Sequence, residues 1–291
     1  MPENKLIVGC GYLGARVARR WLATGERVWT VTRSTERAAR LRDEGLEPVV
    51  ADVTAPATLA ALAKLPPLDT VLYAVGFDRR ATRTRRQVYV EGLRNVLTAL
   101  ASDVRRFLYI STTGVYGQHH GQWVNEETPC APTREGGQVA LEAEHLLLAS
   151  ALGNRSIRLR LAGLYGPGRV PRQQDLAAGQ PIAAPRDGYL NLIHVDDAVD
   201  TVLAAERLNV PPPRLYVVAD GQPPLRRDYL AEVARLVGGP APTFVEPAAD
   251  SPTAERADGD KRVDSAQLLA ELNLRLNYPS YREGLAAILA T

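Results

Sequence analysis

The chain has 291 residues, 45% of them hydrophobic and 23% charged, with a net charge of +2, so it can bury a large core and carries no excess of either sign. No apolar run approaches the ~20 residues of a membrane span, and the start MPENKLIVGC lacks the basic, apolar and small-residue regions of a signal peptide. A cytoplasmic protein with no membrane association is the expectation. Only three of the 35 basic residues are lysines (Lys5, Lys64, Lys261), but no basic stripe or stacking aromatic pattern accompanies the arginines, so nucleic acid is not an expected partner. Cys10 and Cys130 make no disulfide framework and read as structural, and no metal site is expected.

Along the first 160 residues short β-rich runs alternate with helical patterns. Residues 6–8, 28–31, 49–50, 71–75, 107–110 and 157–161 read as strands buried on both faces, as in a parallel sheet. Between them, Leu13, Val17 and Trp21 recur every four residues, and Tyr89, Gly92, Leu93, Val96, Leu97 and Leu100 form a second helical stripe. This alternation predicts an α/β fold, a Rossmann-type doubly wound parallel sheet. Residues 165–190 lack a period and read as loop. A helix is expected at 195–207, a strand at 215–218, a helix at 229–237, and an exposed connection at 238–260. The expected division is a dinucleotide-binding domain at 1–164 and a smaller substrate-binding part at 165–291, with some of its elements returning to the main sheet.

The first strand runs directly into Gly9-Cys10-Gly11-Tyr12-Leu13-Gly14, and a helix follows. A G-x-G-x-x-G in that setting predicts dinucleotide binding. Gly9 makes the tight turn, Gly11 admits the pyrophosphate to the backbone across Tyr12 and Leu13, and Gly14 lets helix and strand approach. The helix N-terminus then supplies free N–H groups and a positive dipole. Where NAD sites place a carboxylate after the second strand, this chain has Thr32-Arg33-Ser34, which favours NADP over NAD because Arg33 can pair with a 2′-phosphate. The alternative is a solvated Arg33, with Ser34 capping the next helix. Arg37 and Arg40 are expected on a wet helix face.

Further segments resemble the extended short-chain dehydrogenase/reductases, the epimerase and dehydratase type. Asp52-Val53 is similar to that family's adenine-contacting turn, and Ala74-Val75-Gly76 to the end of its fourth strand. Ser111-Thr112-Thr113-Gly114-Val115-Tyr116-Gly117 resembles S-[ST]-x-x-V-Y-G, and Glu127-Thr128-Pro129 the E-x-P loop. Leu164-Tyr165-Gly166-Pro167-Gly168-Arg169, the I-H-V-D-D stretch from Ile193 to Asp197, and Tyr278–Leu285 follow in the family's order. The resemblance implies cofactor contacts at Asp52, Val53, Ala74, Val75, Gly76, Ser111 and Tyr165, a catalytic Thr112 with Thr113 and Tyr116 close by, and a homodimer. His194 is implied to be structural.

The family's chemistry uses a Tyr and a Lys four residues later, on one helix face. Here Gly136 and Ala140 occupy those positions, and no Y-x-x-x-K occurs anywhere in the chain. Tyr89 stands where the family's N-V-x-G-T-x-N helix begins with Asn. His119 and His120 read as exposed loop histidines, and Glu126 and Glu127 as fixing a loop. Two functional readings follow. One is an NADP-dependent oxidoreductase or epimerase/dehydratase-like enzyme that acts on a small molecule, such as a nucleotide sugar, without a Tyr-Lys base. The other is a catalytically inactive NAD(P)-binding sensor or regulatory protein.

Overall fold

The computed structural model describes residues 2–78, 82–100, 103–208, 211–248 and 260–290. In chain order, β1 (Asn4–Val8), α1 (Gly14–Ala23), β2 (Arg27–Thr32), α2 (Thr35–Asp43) and β3 (Glu47–Val50) come first. A 3-10 segment (Pro56–Lys64), β4 (Leu68–Tyr73), a π-helical turn (Gln87–Glu91) that runs into α3 (Gly92–Ala99), and β5 (Val104–Thr112) follow. Then come β6 (Trp123–Val124), α4 (Glu135–Leu148), β7 (Ser156–Leu161), β8 (Gly163–Tyr165), α5 (Gln173–Ala177), β9 (Ile182–Ala183) and β10 (Leu192–His194). The chain continues through α6 (Val195–Glu206), β11 (Arg214–Val218), α7 (Arg226–Leu236), β12 (Phe244–Val245), β13 (Arg262–Val263) and two last helices, Ala266–Glu271 and Tyr281–Leu289. No helix among the described residues is long and apolar enough to cross a membrane.

The central sheet has seven strands in the order β11-β7-β5-β4-β1-β2-β3. β1 pairs in parallel with β2 on one side and β4 on the other, so the winding reverses at β1, the switch point of a doubly wound fold. Leu6, Ile7 and Val8 have no exposed surface at all. Each contributes roughly 2 kcal/mol of burial, which explains the unbroken apolar run.

By contacts the chain forms two units. The first holds residues 1–112, 135–160 and 199–215, and the second holds 113–134, 161–198 and 216–291. The chain passes between them repeatedly, where the sequence suggested one cut at 164, because the segment after β5 and the one before α4 belong with the later residues. Residues 165–190 carry more order than expected: Tyr165 ends β8, α5 forms at Gln173–Ala177, and β9 pairs in parallel with β12. β12 lies within the expected connection 238–260, of which 249–259 fall outside the described residues.

Strand β7 is buried on both faces as expected, but not by apolar residues alone: Arg158 and Arg160 alternate with Ile157, Leu159 and Leu161 and bind the buried Glu144 carboxylate of α4. Arg160 donates from Nε and Nη2 at 2.9 and 2.7 Å, a bidentate fork. A second buried pair secures the start of the chain. Lys5 Nζ lies 2.5 Å from Glu206 Oε1, and Trp21 Nε1 donates to Glu206 Oε2 at 2.7 Å. The carboxylate thereby ties α1 and β1 to the end of α6.

Lys5 also pairs with Glu3, so removing Glu206 takes away one of its two carboxylates and leaves the buried Trp21 N–H without its acceptor. Glu206→Ala is expected to cost about 1–3 kcal/mol in urea unfolding. A loss below about 1 kcal/mol would place this carboxylate among the solvated surface pairs.

Candidate functional site

The glycine turn between β1 and α1 is closed by Gly11 N–H donating to Gly9 O at 2.8 Å. Gly9 has φ +99°, and a Cβ there would sit 2.5 Å from the Ala74 carbonyl and 2.6 Å from Val75 N. A Cβ on Gly14 would sit 2.4 Å from Gly9 O. Packing inside the protein therefore requires both glycines. Gly11 differs. Its φ is ordinary, and a Cβ would meet nothing within 4 Å. Gly76, just beyond β4, is open in the same way.

No side chain caps α1, and its first turn holds no acid. Tyr12 is held at the rim by Arg16, whose guanidinium stacks 4.1 Å over its ring and donates to its carbonyl at 2.8 Å. Leu13 is buried and starts the helix. Open glycine main chain beside a helix start with no side-chain cap fits a diphosphate: a positive dipole and room for close approach. The residues present therefore suit the dinucleotide that the turn implies.

The end of β2 is more occupied than its sequence suggested. Arg33 faces Asp78 at 3.4 Å, with both side chains about half exposed. Ser34 Oγ caps α2 by accepting from Arg37 N at 3.1 Å, and Thr32 Oγ1 accepts from Ser34 N at 3.5 Å. Arg37 does not simply extend along a wet face: its Nη2 reaches back to the Cys10 carbonyl, adding a cation beside the turn. Arg40 does stay on the wet face, paired with Glu36. Burial pushes the Cys10 thiol up, so it stays protonated and packs.

After β3, Thr54 donates from both N and Oγ1 to Asp52 Oδ1 at 2.8 Å, which orients that carboxylate. Val53 packs on Gly92, where a Cβ would sit 2.8 Å from Val53 Cγ2, and Asn95 Nδ2 donates to Val53 O at 2.8 Å. The Tyr89 hydroxyl accepts from Phe77 N at 3.1 Å, which fixes the chain beyond β4. Ala74 N donates to Val8 O at 2.8 Å, and Val75 packs against the core. The β4–β5 pairing ends at Tyr73↔Tyr109, and Thr112, the last residue of β5, is half-buried.

Three expected site residues point elsewhere. Ser111 donates from Oγ to Glu144 at 2.6 Å, inside the buried arginine cluster. Tyr116, in the second unit, donates its phenolic proton to Asn125 O at 2.7 Å, which commits that proton to main chain. Tyr165 is fully buried in the second unit's core, its ring edge-on to His194 at 5.3 Å, and a Cβ on Gly284 would sit 2.1 Å from its hydroxyl oxygen. Burial, then Asp220, pushes the Tyr165 phenol far up, so it acts as packing rather than as an accessible contact. Thr113 is buried, and its carbonyl accepts from Tyr116 N.

His119 and His120 lie in the loop as expected, His120 with φ +53°. His194 is buried and stacks on Tyr278 at 3.8 Å. Glu126 fixes its loop to β11 by accepting from Val217 N at 2.7 Å, and burial raises its carboxyl. Glu127 contributes its N–H to Asn125 Oδ1 at 3.1 Å. In the I-H-V-D-D stretch, Asp197 accepts from the backbone of Asn277 and Tyr278 at 2.7 and 3.0 Å and so anchors the C-terminal segment. No group of His, Cys, Asp or Glu among the described residues has the spacing of a metal site.

A model of the NAD dependent epimerase/dehydratase family matches residues 6–219. The chain belongs to that family. Protein YeeZ of Escherichia coli K12 is 29% identical over 283 residues, 94% of this chain and 95% of its own. A solved structure from Methylobacillus flagellatus, assigned as an NAD-dependent epimerase/dehydratase, is 35% identical, with 100% of this chain and 98% of that one covered and a TM-score of 0.79. The Bordetella bronchiseptica enzyme WbmG, solved in complex with NAD, shares the fold at 20% identity and a TM-score of 0.82, covering 100% of this chain and 94% of its own. The buried face of α4 includes Ala140, Ala143, Glu144 and Leu147, and the helix contains no Tyr or Lys.

Gly9 and Gly11 separate packing from ligand. Gly9→Ala is expected to lower the melting temperature by several degrees, since a Cβ meets main chain at a left-handed φ. Gly11→Ala is expected to leave the melting temperature unchanged within about 2 °C and to weaken dinucleotide binding at least tenfold, on the order of a lost hydrogen bond to a charged group. Equal melting shifts in the two variants, with binding retained in Gly11→Ala, would remove the basis for a pyrophosphate site here.

Proposed function

We propose that this family member is an NADP-dependent oxidoreductase or epimerase/dehydratase-type enzyme that acts on a small molecule without a Tyr-Lys base. The observation that carries the reading is the pair of glycines, Gly11 and Gly76, that no contact or φ within the protein requires. Both lie at the switch point, where open α/β sheets bind their ligands. The proposed cofactor contacts are Gly9 to Gly14 for the pyrophosphate, Thr32, Arg33 and Ser34 for the adenosine ribose, Asp52 and Val53 for the adenine, and Ala74 to Gly76 beneath the other half.

NADP is preferred because Arg33, not a carboxylate, follows β2 directly, and Arg37 adds a second cation near the turn. The Arg33–Asp78 pair does not oppose this strongly: exposed pairs are worth about 0–1 kcal/mol, less than a doubly charged phosphate offers an arginine. The bound nicotinamide supplies hydride exchange. Thr112, at the end of β5, is the residue proposed to hold the substrate oxygen. Gly136 and Ala140 carry no exchangeable side-chain proton, so the proton that accompanies the hydride is handled outside those positions. Nucleotide sugars are the substrate class to test first, because the fold neighbour WbmG was also solved with UDP.

Calorimetry with NADPH and NADH on wild type and Arg33→Ala tests the cofactor reading. Arg33→Ala is expected to weaken NADPH about tenfold or more and NADH less than about threefold. Equal losses would overturn the NADP preference. Turnover within a panel of nucleotide sugars, enones, quinones and aldehydes, abolished by Thr112→Ala, is the expected mark of an enzyme. Tight binding with no turnover anywhere would favour a sensor.

A further inference from the structure

The helix that follows β4 begins with a capping box. Gln87 N donates to Thr84 Oγ1 at 3.1 Å, and Thr84 N donates to Gln87 Oε1 at 2.9 Å. This places Arg85 at the first helical position on a fixed backbone. Its guanidinium carbon lies 4.8 Å over the Phe77 ring, and its Nε is 3.3 Å from Glu135 Oε2 at the start of α4. The same Nε lies 3.7 Å from where a Cβ on Gly136 would be. Arg85 therefore lies against the start of α4, in ordinary contact distance of position 136. A π-helical turn, often a mark of a functional site, follows immediately at Gln87–Glu91.

These contacts join to the glycine turn by an unbroken path. The Gly9 main chain abuts Ala74 and Val75, Gly76 is open, and Phe77 N is held by the Tyr89 hydroxyl. In a doubly wound fold the two nucleotide halves lie on either side of the switch point. If Arg33 marks the adenosine half on the β2 side, the other half extends over the end of β4, toward Phe77. Arg85 is about one-third exposed there, and its partner Glu135 is two-thirds exposed, so the ion pair orients the guanidinium more than it stabilises the fold. Stacking on Phe77 fixes the plane of the fork and leaves the terminal nitrogens to donate.

We propose that Arg85 is a cofactor-positioning residue that donates from its terminal nitrogens to the ribose hydroxyls on the nicotinamide half of the dinucleotide. The assignment rests on the dinucleotide reading above. No covalent step is involved, only hydrogen bonds to oxygen acceptors.

The test compares intact dinucleotides with adenosine fragments, titrating NADPH and NADH against 2′,5′-ADP and ADP into wild type, Arg85→Ala, Arg85→Lys and Gly136→Leu. Arg85→Ala is expected to bind the intact dinucleotides about tenfold or more weakly while holding the fragments within about twofold of wild type. Arg85→Lys should recover part of the loss. Gly136→Leu keeps Arg85 in the chain but takes its space, and should reproduce the Ala result even if Arg85→Ala does not fold. Losses that are equal on fragments and dinucleotides, or absent from both, overturn the Arg85 assignment and leave the dinucleotide reading standing. Wild type binding neither dinucleotide at millimolar levels overturns both.

Discussion

Main chain meets main chain where Gly9 crosses Ala74 and Val75, and the rest of the candidate site depends on that contact. With no room for a Cβ and a φ of +99°, the turn has one shape, and it brings the ends of β1 and β4 together at the point where the sheet reverses. The bare start of α1, the open faces of Gly11 and Gly76, and the chain leading to Phe77 all take their positions from it. A longer residue at position 9 would have to move the exit of β4 at Ala74 and Val75.

Around this turn the fold uses buried charge as fastening. Glu144 gathers Ser111, Arg158 and Arg160, and Glu206 gathers Lys5 and Trp21. Each carboxylate is buried with several donors, the arrangement that makes a charge tolerable away from water. The first cluster sits on α4, whose buried face carries this structural carboxylate alongside Ala140, Ala143 and Leu147. Arg85, at the start of the neighbouring helix, lies against Gly136.

The strand–helix alternation, the doubly wound sheet and the glycine turn were legible in residue order, because a run such as Leu6-Ile7-Val8 before G-x-G-x-x-G has few other physical uses. The family motifs did not give the direction of their side chains. Tyr116 and Tyr165 look alike as motif positions. Only three-dimensional packing shows one hydroxyl committed to Asn125 and the other phenol buried against His194 and Gly284. Ser111 likewise turns inward, toward a glutamate 33 residues away. The signals for the arginine cluster were present, namely Glu144 in an apolar helical stripe and arginines at alternate positions of β7, but a strand read as wholly apolar hid them. Asp78 beside Arg33, and Arg85 beside Gly136, had no such signal, because both pairings join segments distant in sequence.

Amide hydrogen exchange with and without millimolar dinucleotide tests the central claim most directly. Peptides covering residues 9–16 and 74–77 should exchange more slowly once either nicotinamide dinucleotide is added, because the N–H groups of the turn and helix start become covered. Unchanged exchange in both peptides at saturating cofactor, or protection confined to residues far from the β1–β4 exit, would contradict it.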